Sequence, residues 1–376
     1  MANNIFIVCT PFHLLTSFIL SRTVYEGDHN YLALLHPHGY DSWHKDPLLR
    51  FMASREAGYE AVYPLITWMT KRAREKSLRK QAEQARAMVG PVKMDRAFLA
   101  SDTGRQTQLF VALLGLKSYI RYDDGMYSYY NKDRKRPLSH TLFHQAMLRL
   151  MAWAAGIHSD LAFHVSSMGA ASAGLGDYLY LPPLLRRPSP KVYEVSAAMI
   201  ARAMDVLKGK GLLNRELSGK RYVMYLSQPI TEQGKLSFDD EKECLRFCLS
   251  RFASGQRLIY KPHPNDSPYK VNYVRTHFPE VLINDSKVPV ELILCKEPAI
   301  RTVISYQSTT LLIAPKFTGE GIRCISLADW YRKPIHQAYR DIMEEAGVEF
   351  AGRSDQNVFG KEIPRHGSQP FARKAK

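Results

Sequence analysis

Ile5-Phe6-Ile7-Val8-Cys9 is an unbroken apolar run, the pattern of a central parallel strand buried on both faces. Thr10-Pro11-Phe12 follows, with a threonine placed to cap and a proline suited to a first helical position, and helical apolar spacing continues through Ile19. Short apolar runs and longer helical patterns then alternate along the chain. Leu32–Leu35, Arg96–Ala100, Ser118–Tyr122 and Ala162–Val165 read as further strands. Lys71–Met88 reads as a long charged helix, Ser101-Asp102-Thr103 as the cap of a helix reaching Leu114, and Leu142–Ala155 as an apolar-rich helix. The run Leu181–Pro190 holds four prolines and reads as a linker. Helical periodicity resumes over Tyr193–Leu207. A second series follows, with strands at Tyr222–Leu226, Leu258–Tyr260, Glu280–Ile283 and Thr302–Ser305 and helices at Val288–Cys295, after Ser308-Thr309-Thr310, and over Trp330–Ala346. Two β/α series joined by a proline-rich run predict two facing doubly wound α/β domains, residues 1–185 and 186–350, with a basic tail over 351–376.

Three strand ends carry candidate chemistry. The strand Leu258-Ile259-Tyr260 runs into Lys261-Pro262-His263-Pro264. Proline stops the ladder, and the rigid turn projects Lys261 and His263 at the carboxyl edge of the sheet, where ligands of open α/β sheets bind. A lone histidine there often only satisfies a turn. The strand ending at Tyr122 is followed by Asp123-Asp124-Gly125. Alternation points one carboxylate to the cleft and one to the protein, and Gly125 permits a sharp positive-φ turn. Such a carboxylate can take a proton from a substrate hydroxyl, although Asp-Gly is also an ordinary turn. After Thr302–Ser305, Ser308-Thr309-Thr310 opens a helix, which serves either as plain capping or as an anion site of free N–H groups, dipole and hydroxyls.

Composition narrows the classes. Of 376 residues, 45% are hydrophobic and 23% charged, ordinary for a globular chain of about two domains. No run of about 18 apolar residues offers a membrane span, and Met1–Ile5 lacks the basic start of a signal peptide. The five cysteines are scattered, as reduced thiols of a cytoplasmic protein would be. Lys plus Arg outnumber Asp plus Glu by 52 to 36, a net charge of +16, which predicts a polyanionic partner. Lys71-Arg72-Ala73-Arg74, Arg79-Lys80, Arg134-Lys135-Arg136 and Arg186-Arg187 carry much of it. No zinc-finger spacing or aromatic RNA-binding signature accompanies them, so nucleic acid is not the expected partner.

Asp-Asp-Gly, Lys-Pro-His-Pro and Ser-Thr, in this order and spacing, resemble the acid-acid-Gly, His-Pro and Ser-Ser/Thr motifs of bacterial sialyltransferases. The opening Cys9-Thr10-Pro11-Phe12-His13-Leu14-Leu15 and the Leu226-Ser227-Gln228-Pro229 element are similar to that group too. The nearest likeness is to capsular polysialyltransferases and lipooligosaccharide sialyltransferases. It covers the chain in outline, and Thr309 departs from the commoner Ser-Ser while keeping a hydroxyl. The resemblance implies a GT-B glycosyltransferase, two facing Rossmann-like domains with a cleft between them, the first on the acceptor side and the second binding a CMP donor. It implies an inverting sialyltransferase using CMP-sialic acid. Asp124 would be the general base, supported by Asp123, Gly125 and Thr10. His263 would assist departure of the CMP phosphate. Lys261, Pro264, Gln228, Ser308 and Thr309 would line the nucleotide site, and Glu291 would bind the ribose hydroxyls. No cofactor or metal is implied. The implied acceptor is an acidic or lactose-type glycan, and the implied location is cytoplasmic, with peripheral association to the anionic inner membrane or capsule export machinery. A transferase for another CMP-activated ulosonic acid (Kdo, legionaminic or pseudaminic acid) shares the same phosphate motifs. A non-catalytic basic polyanion-binding protein is the alternative of another class.

Overall fold

The computed structural model describes residues 1–35, 43, 45–65, 77–130, 138–163, 168–169, 171–215, 217, 221–319 and 321–358. The first sheet holds β1 (Asn3–Val8), β2 (His29–Leu35), β3 (Ala61–Leu65), β4 (Arg96–Leu99), β5 (Tyr119–Tyr122), β6 (Gly174–Leu179) and β7 (Val192–Glu194), in the order β3-β2-β1-β4-β5-β6-β7. The second holds β8 (Tyr222–Leu226), β9 (Arg257–Lys261), β10 (Leu282–Ile283), β11 (Ile300–Ser305), β12 (Arg323–Ser326) and β13 (Glu349–Phe350), in the order β10-β9-β8-β11-β12-β13. Every pairing is parallel. The order reverses at β1/β4 and at β8/β11, the crevices where doubly wound sheets bind ligands.

The helices are α1 (Pro11–Ser21), α2 (Pro47–Met52), α3 (Leu78–Val89), α4 (Arg105–Leu113), α5 (Met126–Tyr129), α6 (Leu138–Ala154), α7 (Ala197–Gly209), α8 (Phe238–Phe252), α9 (Pro268–His277), α10 (Val290–Lys296), α11 (Thr310–Thr318) and α12 (Gln337–Glu345). α7 packs on both α1 and α11. Leu14 and Phe18 of α1, Ile200 and Met204 of α7, and Leu311 and Leu312 of α11 belong to one buried apolar cluster. Burial of these side chains, worth about 1.5–3 kcal/mol each, holds the two sheets against one another.

Several elements differ from the expected ones. Leu181–Pro190 is not a linker. Pro182–Leu184 forms a 3-10 turn, the Leu181 N–H donates to the Tyr129 hydroxyl at 3.2 Å, and the Arg186 N–H donates to the Tyr129 carbonyl at 2.9 Å. The run connects β6 to β7 within the first sheet, so that sheet extends past residue 185, and crossing to the second follows through α7. Val192–Glu194 is strand where helix was expected, and the helix starts only after Ser196, whose side chain accepts from the Met199 N–H. β3 contains Pro64 and still forms, because it is the sheet edge, where a missing N–H costs no ladder bond. Residues 162 and 163 are not strand, and the rest of that expected strand lies outside the described residues. The last helix begins at Gln337, after a 3-10 turn at Ala328–Trp330. Asp102 is no cap. It is fully buried and accepts from Arg121 Nη1 at 3.1 Å, while Gly104 occupies the cap position. Arg353, within the expected tail, lies in a 3-10 turn and pairs with Asp240.

Among the basic clusters, residues 71–74 and 134–136 lie outside the described residues. Arg187 is not free surface charge. Its guanidinium straddles Asp177 at 2.7 and 3.1 Å, and Arg121 grips the same carboxylate from the other side at 2.8 and 2.9 Å. Burial would raise Asp177, but the two guanidiniums outweigh it and hold the carboxyl down at about 2.

Candidate active site at the facing sheet edges

Asp123 and Asp124 leave β5 at its carboxyl edge and face opposite ways. Asp123 is fully buried and accepts from the Gly125 N–H at 2.8 Å, the Tyr180 N–H at 3.2 Å and the Tyr129 hydroxyl. Burial pushes it up to about 6. Its position ties the turn to the end of β6, a shaping role. Asp124 is partly open, and its backbone N–H donates to Ser128 Oγ at 2.7 Å. Arg187 Nε in turn donates to the Ser128 carbonyl at 3.2 Å, so the buried arginine network braces this turn.

Asp124 Oδ1 lies 2.6 Å from His13 Nε2. His13 is in the first turn of α1, where Thr10 caps the helix and accepts from the His13 N–H at 3.1 Å. The Cys9 N–H lies 3.4 Å from His13 Nδ1, near the long limit of a hydrogen bond, and only the unprotonated ring can accept it. The Tyr122 ring packs edge-on at 5.8 Å. Burial opposes charge on His13, but the hydrogen bond to Asp124 prevails and the imidazole is carried up to about 9. A group raised in the folded state gives stability that is complete below its ordinary value of 6.5 and disappears as pH rises through about 9. The expected result is that the urea midpoint advantage of wild type over His13→Gln shrinks as pH rises from about 7 to about 10. An advantage independent of pH would contradict the charged pair. His13 lies within the opening motif, yet nothing in the sequence assigned it a partner far along the chain. Its one signal is a polar ring in an otherwise apolar helix start.

The Asp-Asp-Gly turn touches the second sheet directly. The Met126 N–H donates to Thr309 Oγ1 at 3.1 Å across the cleft. Gly125 has φ +86°, and a Cβ there would meet Thr309 Oγ1 at 2.4 Å. Both the backbone and the space therefore demand glycine. Gly125→Ala should cost about 1–3 kcal/mol and splay this contact, read as a lower urea midpoint together with reduced activity. Wild-type stability in this variant would show that the turn is slack.

Three neighbouring strands of the second sheet deliver the remaining residues. From β11, Ser308 Oγ accepts from the Thr310 N–H at 3.3 Å, and Thr309 is committed to the domain contact above. From β8, Gln228 Oε1 accepts from the Gln307 N–H at 2.7 Å, joining the loop after β8 to the one after β11. From β9, His263 is half-buried with Pro264 exposed beside it. The His263 N–H donates to Asp266 Oδ2 at 2.8 Å, and Nδ1 accepts from the Asn265 N–H at 3.1 Å. Burial lowers its pKa, so the imidazole is neutral with its proton on Nε2, a hydrogen-bond donor. β9 and β11 flank β8, so these loops stand about 10 Å apart at ~4.8 Å per strand.

Two expected nucleotide contacts are differently placed. Lys261 is buried with Nζ turned 2.5 Å onto the Ser286 carbonyl, and burial brings it down to about 8. Glu291, also buried, accepts from Thr310 Oγ1 at 2.8 Å, and burial raises its carboxyl. Lys261 so braces the segment after β10, and Glu291 braces the start of α11. Sequence reasoning missed Lys270, whose buried ammonium meets Glu241 at 2.6 Å, Asp266 at 3.0 Å and the Gln228 carbonyl at 2.7 Å. It fastens the His263 and Gln228 loops together. No cluster of potential metal ligands occurs among the described residues.

The family profile described as Alpha-2,8-polysialyltransferase (POLYST) matches residues 4–322. No curated protein matches the sequence. Among solved structures, UDP-GlcNAc 2-epimerase from Methanocaldococcus jannaschii superposes with a TM-score of 0.51 at 12% identity, covering 94% of this chain and 89% of that one. The S. aureus MnaA–UDP co-structure gives 0.53 at 14%, with 95% and 86% covered. UDP-GlcNAc 2-epimerase from Neisseria meningitidis bound to UDP-GlcNAc gives 0.53 at 13%, with 95% and 88% covered. At these identities the likeness is one of fold, the two-domain GT-B arrangement of parallel sheets. A glycosyltransferase fold, matched by the family profile over most of its length, identifies the chain as a member of the alpha-2,8-polysialyltransferase family.

Proposed function

We propose that this enzyme is an inverting transferase moving sialic acid from CMP-sialic acid to a hydroxyl of an acidic cell-surface glycan. One observation carries the reading. Asp124, hydrogen-bonded to His13, stands at the carboxyl edge of the first sheet, and its turn touches the Ser308-Thr309 turn of the second. In this mechanism the acceptor oxygen attacks the anomeric carbon while its proton passes to Asp124. The bond from that carbon to the CMP phosphate oxygen breaks, and the β-linked donor gives an α-linked product. His263 Nε2–H and the Ser308 hydroxyl donate to the departing phosphate, at the positive end of the α11 dipole. These groups meet the developing charge without a metal ion.

Lys261 and Glu291 support the site in this reading from behind it, since each already has a buried partner. The test is incubation of the purified chain with CMP-sialic acid, CMP-Kdo and CMP-activated legionaminic and pseudaminic acids, each with an oligosialic acceptor and with lactose, followed by mass spectrometry. Extension of the oligosialic acceptor from CMP-sialic acid supports the proposal. Transfer only from another donor would move it to that ulosonic acid. CMP release at the buffer rate with every donor would leave a binding protein.

A further inference from the structure

α6 buries one face and leaves the other in solvent. Leu148 and Ala152 belong to the core of the first domain. On the opposite side Leu142, Phe143, Leu150 and Trp153 are 55%, 66%, 62% and 72% exposed. At 100° per residue these four, with Arg149, fall within one stripe of the helix surface. Single exposed hydrophobics are unremarkable, but four large ones on one helix face form a patch that a soluble surface does not need.

The charge beside the patch selects its occupant. α6 contains no Asp or Glu, and exposed Arg149 lies within the stripe. In the sequence the helix is preceded by Lys132, Arg134, Lys135 and Arg136, against Asp133 alone. A second copy of the chain would bring like charge against like in a two-fold pairing. An anionic lipid surface complements both features, with Trp at the headgroup level, Leu and Phe at the acyl boundary, and Arg at the phosphates. No described helix is long and apolar enough to cross a membrane, so this one would lie in the interface plane.

We propose that the outer face of α6 docks the enzyme on an anionic lipid surface, through Leu142, Phe143, Leu150, Trp153 and Arg149. α6 connects β5 to the parallel β6, so its N-terminus lies toward the sheet edge that carries Asp124. Docking through this face would set the acceptor side of the cleft beside the bilayer. The surface is separate from the cleft, so its test needs no transferase activity and stands or falls apart from the proposed reaction.

The test is flotation of the full chain with vesicles of phosphatidylcholine holding about one-third phosphatidylglycerol, against phosphatidylcholine alone. Wild type should float with the anionic vesicles. A variant carrying Leu142→Ser, Phe143→Ser, Leu150→Ser and Trp153→Ser should bind at least about tenfold less, and Arg149→Glu should weaken binding while the apolar stripe is kept. These side chains are exposed, so an unchanged thermal midpoint should confirm that both variants fold. Equal flotation of wild type and the quadruple variant would overturn the proposal, as would no flotation of wild type. A wild-type dimer in sedimentation equilibrium that becomes monomeric in the quadruple variant, with no vesicle binding, would assign the face to a second copy instead.

Discussion

Asp124→Asn should lower sialyl transfer by about 100-fold or more and leave CMP affinity within about twofold. The substitution keeps the size of the side chain and an oxygen that accepts from His13 Nε2, 2.6 Å away in the wild type. The backbone N–H bond to Ser128 Oγ, which sets the turn, does not involve the carboxylate. What disappears is the ability to take the acceptor proton. The groups assigned to CMP hang from β8, β9 and β11 of the other sheet, so donor binding should survive. Rates of transfer and calorimetric titration of CMP on the same protein decide the matter. Near-normal turnover by the folded variant would remove Asp124 from the role of base.

His263→Ala should lower transfer by about 100-fold and weaken CMP binding by about tenfold, and Ser308→Ala should weaken CMP binding in the same direction by less. The backbone N–H of His263 donates to Asp266 Oδ2, and the imidazole accepts from the Asn265 N–H at Nδ1. That leaves Nε2–H as the group free to serve a phosphate. Truncation at Cβ removes this donor, while the bonds from the backbone and Asp266 to Lys270 keep the loop in place. Ser308 offers a hydroxyl from β11, with β8 between it and His263, so both side chains can reach one phosphate group. Calorimetry showing unchanged CMP affinity in both variants would contradict a shared phosphate site.

Local pattern carried much of this protein. The apolar run Ile5–Val8 and the Thr10-Pro11 helix start are visible from neighbours alone, and both occur as β1 and α1. Strand ends followed by Asp-Asp-Gly and by Lys-Pro-His-Pro are legible for the same reason, since proline and glycine impose their geometry within a few residues. Elements whose stability comes from elsewhere were not legible. Val192–Glu194 is three residues long and is strand only because β6 supplies its ladder. The proline run Leu181–Pro190 looks like a flexible linker until Tyr129 is seen holding it at two points.

The candidate site divides along the same line. Residue type and order along the chain determined which strand ends carry acid, imidazole and hydroxyl, because those are properties of short segments. Only the tertiary structure decided their state. It set His13 against Asp124 over 111 positions of sequence, pressed Gly125 onto Thr309, turned Lys261 and Glu291 inward onto Ser286 and Thr310, and left Phe143 and Trp153 outside. The physical reason is that burial and hydrogen-bond partnership depend on what the rest of the chain brings within a few ångströms, and a carboxylate, lysine or tryptophan has the same symbol in the sequence whichever neighbours it meets.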